Sequence, residues 1–171
     1  MQGDAAIIVT LARDDARDLD ALRAIELEAF PEREPQVASE LARPWAKLWV
    51  ARVGGADAEP SAFVLVWLVA NEVHVLSIAT AQAMRRRGLA RALMREVIAT
   101  ARTRRSELVL LEVRRSNRAA IALYRGFGFR ATAIRKGYYA DREDAVEMAL
   151  VLDPDTGEVI PGRDEVRLEE S

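Results

Sequence analysis

The sequence predicts a mixed α/β fold, a single domain with one central sheet flanked by helices. Three observations carry that expectation. Apolar runs of strand length recur along the chain, bounded by turn residues. Two segments of the second half shift to helical spacing, so that strands and helices there follow in the order β-α-β-α-β-β. The 171 residues, 50% of them apolar and 30% charged, suffice for one well-filled core and fall short of two.

In chain order, "AIIVTL" (6–11) reads as a first strand. From Asp14 to Phe30 the apolar positions Leu19, Leu22, Ile25, Leu27 and Phe30 recur at helical spacing, with Asp14 and Asp15 placed to cap the start. The two prolines of "FPEREP" end that helix, and a short one follows at 36–42. "KLWVARV", "SAFVLVWLVA" and "EVHVLSIAT" are strands; a "GGADAEP" loop joins the first two and a turn at Asn71 the last two. From Gly88 to Arg104, Leu89, Leu93, Val97, Ile98 and Ala101 share one helical face. "ELVLLEV" (107–113) is a continuous apolar run, the pattern of a strand buried on both faces. Ser116 and Asn117 cap a second helix with Ile121, Leu123, Tyr124 and Phe127 as its apolar positions; "GFGF" ends it, and strands follow near 129–135 and 144–152. The remaining "DPDTGEVIPGRDEVRLEES" holds seven acids and two arginines and offers little to pack. It reads as an acidic C-terminal extension (153–171) on a 6–152 domain.

Composition removes several chemistries. The chain has no cysteine, so disulfides, thiolate metal sites and a cysteine nucleophile are out, and a cytoplasmic location fits. The single histidine, His74, excludes a multi-histidine metal site and reads as an ordinary strand residue; no metal is expected. The longest apolar run is well short of the roughly 20 residues that a membrane span needs, and no basic-then-apolar leader opens the chain. The net charge is −2, but Arg85–Lys136 holds fifteen basic and three acidic residues, a local +12 against −14 elsewhere. Such asymmetry suits an anionic partner, whether a phosphorylated cofactor, nucleic acid or a ribonucleoprotein.

"MRRRGLARAL" (84–93) lies at a strand-to-helix junction. A helix that starts there presents free N–H groups and the positive end of its dipole, a natural phosphate site. Gly88 and Ala90 let a ligand approach the backbone, and Leu89 can anchor inward. Neither GxxxxGK[ST] nor GxGxxG is present, so nucleotide motifs of those types are excluded.

Arg85-x-x-Gly88-x-Ala90 resembles the [QR]-x-x-G-x-[GA] motif of the GCN5-related N-acetyltransferases, which holds the pyrophosphate of acetyl coenzyme A. "LLEVRRSNRAAIALYRGFGF" (110–129) is similar to the L-E-V-R-x-S-N-x-x-A-I-x-L-Y-x-x-x-G-F stretch of RimI-type ribosomal-protein alanine N-acetyltransferases. "RKGYYADREDAVEMAL" (135–150) is similar to their closing R-x-x-Y-Y-…-E-D-A-x-x-M-x-L, and "EAFP" (28–31) to their F-P. The chain departs from that pattern in "EREPQ", where many relatives carry tryptophan and serine, and in "TAQAM", where a proline is usual.

The resemblance implies acetyl transfer from acetyl-CoA to the N-terminal α-amine of a protein, of small-subunit ribosomal type, with no membrane and no direct nucleic-acid role. It places the proton acceptor at Glu112 and the proton donor at Tyr124. Ile78, Ala79, Thr80, Arg85, Arg86, Arg87, Gly88, Leu89, Ala90, Arg91 and Asn117 fall at the cofactor, and Phe30, Tyr138, Tyr139 and Glu143 beside the acceptor. Read from the residues alone, Glu112 is the acid inside "LVLLEV", where burial would raise its pKa, or else a strand carboxylate paired with Arg114 or another arginine. Tyr124 is a protonated donor or a core tyrosine, and Asn117 a helix cap. An α-amine, with a pKa of about 7.7–8.0 against about 10.4 for lysine, needs only a modest base near neutral pH. A lysine or small-molecule acetyltransferase and a non-catalytic RNA- or ribosome-binding protein are the competing readings.

Overall fold

The computed structural model describes residues 6–168. Seven strands form a mixed sheet: β1 (Ile7–Leu11), β2 (Ala46–Val53), β3 (Pro60–Val69), β4 (Glu72–Thr80), β5 (Leu108–Arg114), β6 (Arg130–Arg135) and β7 (Ala145–Val151). The helices are α1 (Ala16–Ala29), α2 (Val37–Leu41), α3 (Leu89–Thr103) and α4 (Arg118–Arg125), with a single 3-10 turn at Gln82–Met84. Hydrogen bonding orders the strands β1-β2-β3-β4-β5-β7-β6, and the β4–β5 pair is parallel. The chain divides into two compact units, residues up to Leu68 with Leu76–Ile98, and Val69–Val75 with Ala99 onward.

In the first unit, β1, β2 and β3 pair antiparallel. Asp15 caps α1 by accepting from the Asp18 N–H at 2.8 Å, and the helix stops at Ala29, before the Phe30-Pro31 step that disfavours helical backbone. Leu22 and Ile25 of α1 and Val37 of α2 pack with Leu48, Val50, Phe63 and Leu65. Burying a side chain such as Leu22 or Phe63 contributes about 1.5–3 kcal/mol. The same interior holds a charge pair. Both Arg52 and Asp18 are 1% exposed and bonded side by side through two nitrogens and two oxygens, at 2.9 and 2.5 Å.

In the second unit, β5 runs antiparallel to β7, and β7 to β6. The expectation that β5 is buried on both faces is not met. Val109, Leu111 and Val113 are buried, whereas Leu108 and Leu110 are half-buried and Glu112 is exposed, a plain period-two alternation. Continuous burial occurs in β2 and β3 instead.

The acidic extension also differs from the sequence reading. Leu152 bridges to Val159, the Glu165 N–H donates to the Ala131 carbonyl at 2.8 Å, and Asp164 accepts from the Ala131 N–H at 3.0 Å. Asp164 also pairs with Arg125, while Arg102 and Arg130 donate to the carbonyls of Gly157 and Gly162. The extension therefore covers the start of edge strand β6, a place where unpaired backbone invites association. Residues 169–171 of the extension lie outside the described residues.

Candidate active site

In the first unit, the candidate residues lie at the turn between β4 and α3. On β4, whose residues Glu72–Val75 pair in parallel with Leu108–Leu111 of β5, Ala79 is buried, and Ile78 and Thr80 are half-buried on the other face. The 3-10 turn follows, its Gln82 N–H held by the Glu28 carboxylate at 2.9 Å. Gly88 and Arg86 adopt left-handed backbone, φ +83° and +64°. The first helical bond of α3 runs from the Ala92 N–H to the Gly88 carbonyl at 3.0 Å, so the amides of Leu89 and Ala90 have no partner within the helix. Leu89 is 1% exposed and pins the turn from below, as the sequence suggested. Arg85 reaches the Thr80 carbonyl at 3.4 Å and Arg87 the Met84 sulfur at 3.3 Å. Arg86 and Arg91 are exposed. Among the described residues, none of Arg85, Arg86 and Arg87 is paired with a carboxylate. A Cβ added to Gly88 would meet nothing nearer than Ile7 Cδ1 at 4.0 Å. Free amides, a helix dipole and unpaired guanidiniums form a donor set that fits a pyrophosphate.

In the second unit, a separate cluster gathers on β5, β6, β7 and the loop after β6. Glu112 stands directly opposite Glu147 in the β5–β7 register. Its carboxylate is paired with Arg135 Nη1 at 3.1 Å, and its side chain is 31% exposed. The burial expected of it is absent because the alternation of β5 turns it away from the core face. Arg135 Nε is in turn bonded to Glu147 Oε1. The Glu112 carboxylate facing the Tyr138 hydroxyl, with burial second, raises that phenol above its ordinary range. Tyr139 packs edge-on to Tyr138 with ring centroids 5.2 Å apart. Burial pushes the Tyr139 hydroxyl up to about 12, against the opposing pull of Arg114.

Tyr124 lies in the last turn of α4, 4% exposed, its ring centroid 5.8 Å from that of Phe129. Burial, reinforced by neighbouring Tyr139, raises its hydroxyl far above the ordinary phenol range and so keeps it protonated. Asn117 caps α4 by accepting from the Ala120 N–H at 3.1 Å. Glu143 fastens the loop after β6: its Oε1 accepts from the Ser116 N–H at 2.9 Å and its Oε2 from Arg114 at 2.8 Å. Those hydrogen bonds hold its carboxyl below the usual range. Both of its oxygens are thus turned to the protein. Phe30 ends α1 in the first unit, with the Arg33 guanidinium 4.0 Å over its ring. Arg135 and Glu147 carry no role in the sequence reading. The R-x-x-Y-Y pattern contained Arg135, but the register that sets Glu147 against Glu112 is non-local and leaves no short-range signal.

Residues 19–129 match the model of the Acetyltransferase (GNAT) family. The chain belongs to the GNAT acetyltransferase family. It is 36% identical over 148 residues to the [ribosomal protein bS18]-alanine N-acetyltransferase of Escherichia coli K12, covering 84% of this chain and 97% of the relative. It is 34% identical over 147 residues to an N-alpha-acetyltransferase of Sulfurisphaera tokodaii, covering 79% and 88%. The crystal structure of the E. coli ribosomal-protein-S18-alanine N-acetyltransferase superposes with a TM-score of 0.72 at 33% identity, over 92% of this chain and 97% of that one. Among the described residues no helix of this acetyltransferase is long and apolar enough to cross a membrane, and no group of three or more His, Asp or Glu side chains is placed to hold a metal ion.

Proposed function

We propose that this GNAT acetyltransferase acetylates the N-terminal α-amine of a protein beginning with alanine or serine, the client being a small-subunit ribosomal protein and the setting the cytoplasm. Residues 6–152 are taken as the catalytic domain and 153–171 as its extension. The observation that carries the reading is an exposed strand carboxylate, Glu112, in the same unit as a buried, firmly protonated phenol, Tyr124, in a chain that also holds a phosphate-type turn. Acetyl-CoA supplies the acetyl group as a thioester. Leu89 and Ala90 N–H groups, with Arg85, Arg86, Arg87 and Arg91, hold the phosphates, and the backbone of Ile78–Thr80 offers strand-like bonds to the arm. Glu112 takes a proton from the acceptor ammonium, and the neutral amine attacks the acyl carbon. Tyr124 gives its phenolic proton to the departing sulfur and is reprotonated by the proton that the acylated nitrogen releases as the amide forms. Tyr138 and Tyr139 line the approach to Glu112, and Asn117 fixes the start of the helix that carries the donor.

The test is mass spectrometry of peptides incubated with acetyl-CoA and either wild type or Glu112→Gln. One set has a free N-terminal alanine or serine, and another a blocked N-terminus and an internal lysine. Acetate on the α-amine, strongly reduced with Glu112→Gln, is the expected result. Acetate on lysine alone would replace the N-terminal reading with the lysine one.

A further inference from the structure

We propose that Glu147 is a positioning residue for the base: it holds Arg135 by Nε, so that Glu112 shares the guanidinium rather than taking it alone and stays able to accept a proton from the acceptor amine. The proposal rests on Glu112 being that base. Two like charges directly opposite across antiparallel strands repel, and nothing in folding alone calls for them there. Arg135 answers both, through Nη1 to Glu112 at 3.1 Å and Nε to Glu147. An arginine bound only to the base would stabilise its ionised form and weaken it as a proton acceptor. A second carboxylate on the same guanidinium offsets that cation and adds a negative charge close to Glu112. Arg135, Tyr138 and Tyr139, which interact with Glu112, belong to the RimI-type pattern R-x-x-Y-Y. Glu147 falls on an unassigned place of the E-D-A-x-x-M-x-L pattern. The three charged groups are partly open to solvent, with side-chain exposures of 31% for Glu112, 53% for Arg135 and 27% for Glu147, so an incoming ammonium can rearrange them.

The arrangement gives opposite signs for its two halves. Glu147→Gln leaves Arg135 to Glu112 alone, so the acid limb of kcat/KM moves to lower pH and the plateau falls. Arg135→Met removes the cation, so the limb moves to higher pH. The expected displacement is roughly half to one pH unit each way, from a unit charge at cross-strand distance in a partly solvated setting. Initial rates are measured from pH 4.5 to 9 with an alanine-starting peptide; the limb from that peptide's own amine is common to all variants. Glu147→Asp, which keeps the charge, returns the profile toward wild type, and melting curves verify that each variant is folded at assay temperature. Both limbs moving the same way, or a Glu147→Gln profile superposable on wild type while Glu112→Gln is inactive, would overturn the proposal. Full activity of Glu112→Gln would instead remove the base assignment, and the proposal with it.

Discussion

Arg52→Met breaks the charge pair inside the first unit, and its cost can be worked from the contacts. Asp18 and Arg52 are each 1% exposed, joined by bonds of 2.9 and 2.5 Å. Removing one partner of such a buried pair strands the other charge and costs about 3–5 kcal/mol. For a chain of this size that is a fall in Tm of roughly 6–20 °C. The loss depends on pH. Burial alone would raise the Asp18 carboxyl, but bonds from Arg52 and the Arg13 N–H and the charges of both arginines outweigh it and hold it below 3.8. A carboxyl lowered by folding stabilises fully above its unfolded pKa of about 3.9, and that contribution drains as pH falls through the folded value. The gap between wild type and Arg52→Met, read by urea denaturation, is therefore widest near pH 7 and narrows toward pH 3. Asp18→Leu combined with Arg52→Met recovers part of the loss by removing both charges. It does not recover all, because the Arg13 N–H and the Ala58 carbonyl lose partners at 3.0 and 2.6 Å. A single-variant loss under 1 kcal/mol, or one equal at pH 7 and pH 3, would refute this account.

Three further outcomes follow from the geometry. Tyr124→Phe lowers kcat by about 10²-fold or more in stopped assays while the calorimetric Kd for coenzyme A stays near wild type; with its hydroxyl raised by burial, the wild-type enzyme shows no alkaline loss from Tyr124 below pH 10. Gly88→Ala places a Cβ on left-handed backbone at φ +83° with no clash nearer than 4.0 Å, so about 1–2 kcal/mol of backbone strain appears as lost stability, a fall in Tm of roughly 2–8 °C by calorimetry. Ending the chain after Leu152 removes the Glu165–Ala131 and Asp164–Ala131 bonds and the Arg125 ion pair, about 2–3 kcal/mol in all at ordinary hydrogen-bond values, and lowers Tm by several degrees; an unchanged Tm would show the extension to be unattached.

What the sequence disclosed and what it hid divide by range. Leu89, Leu93, Val97, Ile98 and Ala101 sit at helical spacing, and all five are buried on α3. The turn before α3 was legible because its chemistry comes from consecutive residues. β5 misled because Leu108 and Leu110 are apolar although half-buried, so composition concealed the alternation that exposes Glu112. An arginine partner for Glu112 was legible but not which one: the sequence offered Arg114 or another, and the structure pairs it with Arg135, through registers set by whole strands.

The charge asymmetry was legible as a fact and not as a partition. The acidic extension and the basic segment meet in cis: Asp164 pairs with Arg125, Asp155 lies 3.9 Å from Arg105, and Arg102 and Arg130 bond to backbone carbonyls of the extension. Those arginines contribute to the local +12 without calling for an external anion. Arg85, Arg86 and Arg87 stand apart, because no carboxylate among the described residues meets them and they flank amides without helical partners. The excess of basic residues thus has two physical origins, one satisfied within the chain and one left open at the turn. A phosphate-bearing ligand is needed to explain only the second. An RNA-binding reading would require the first set to be open as well.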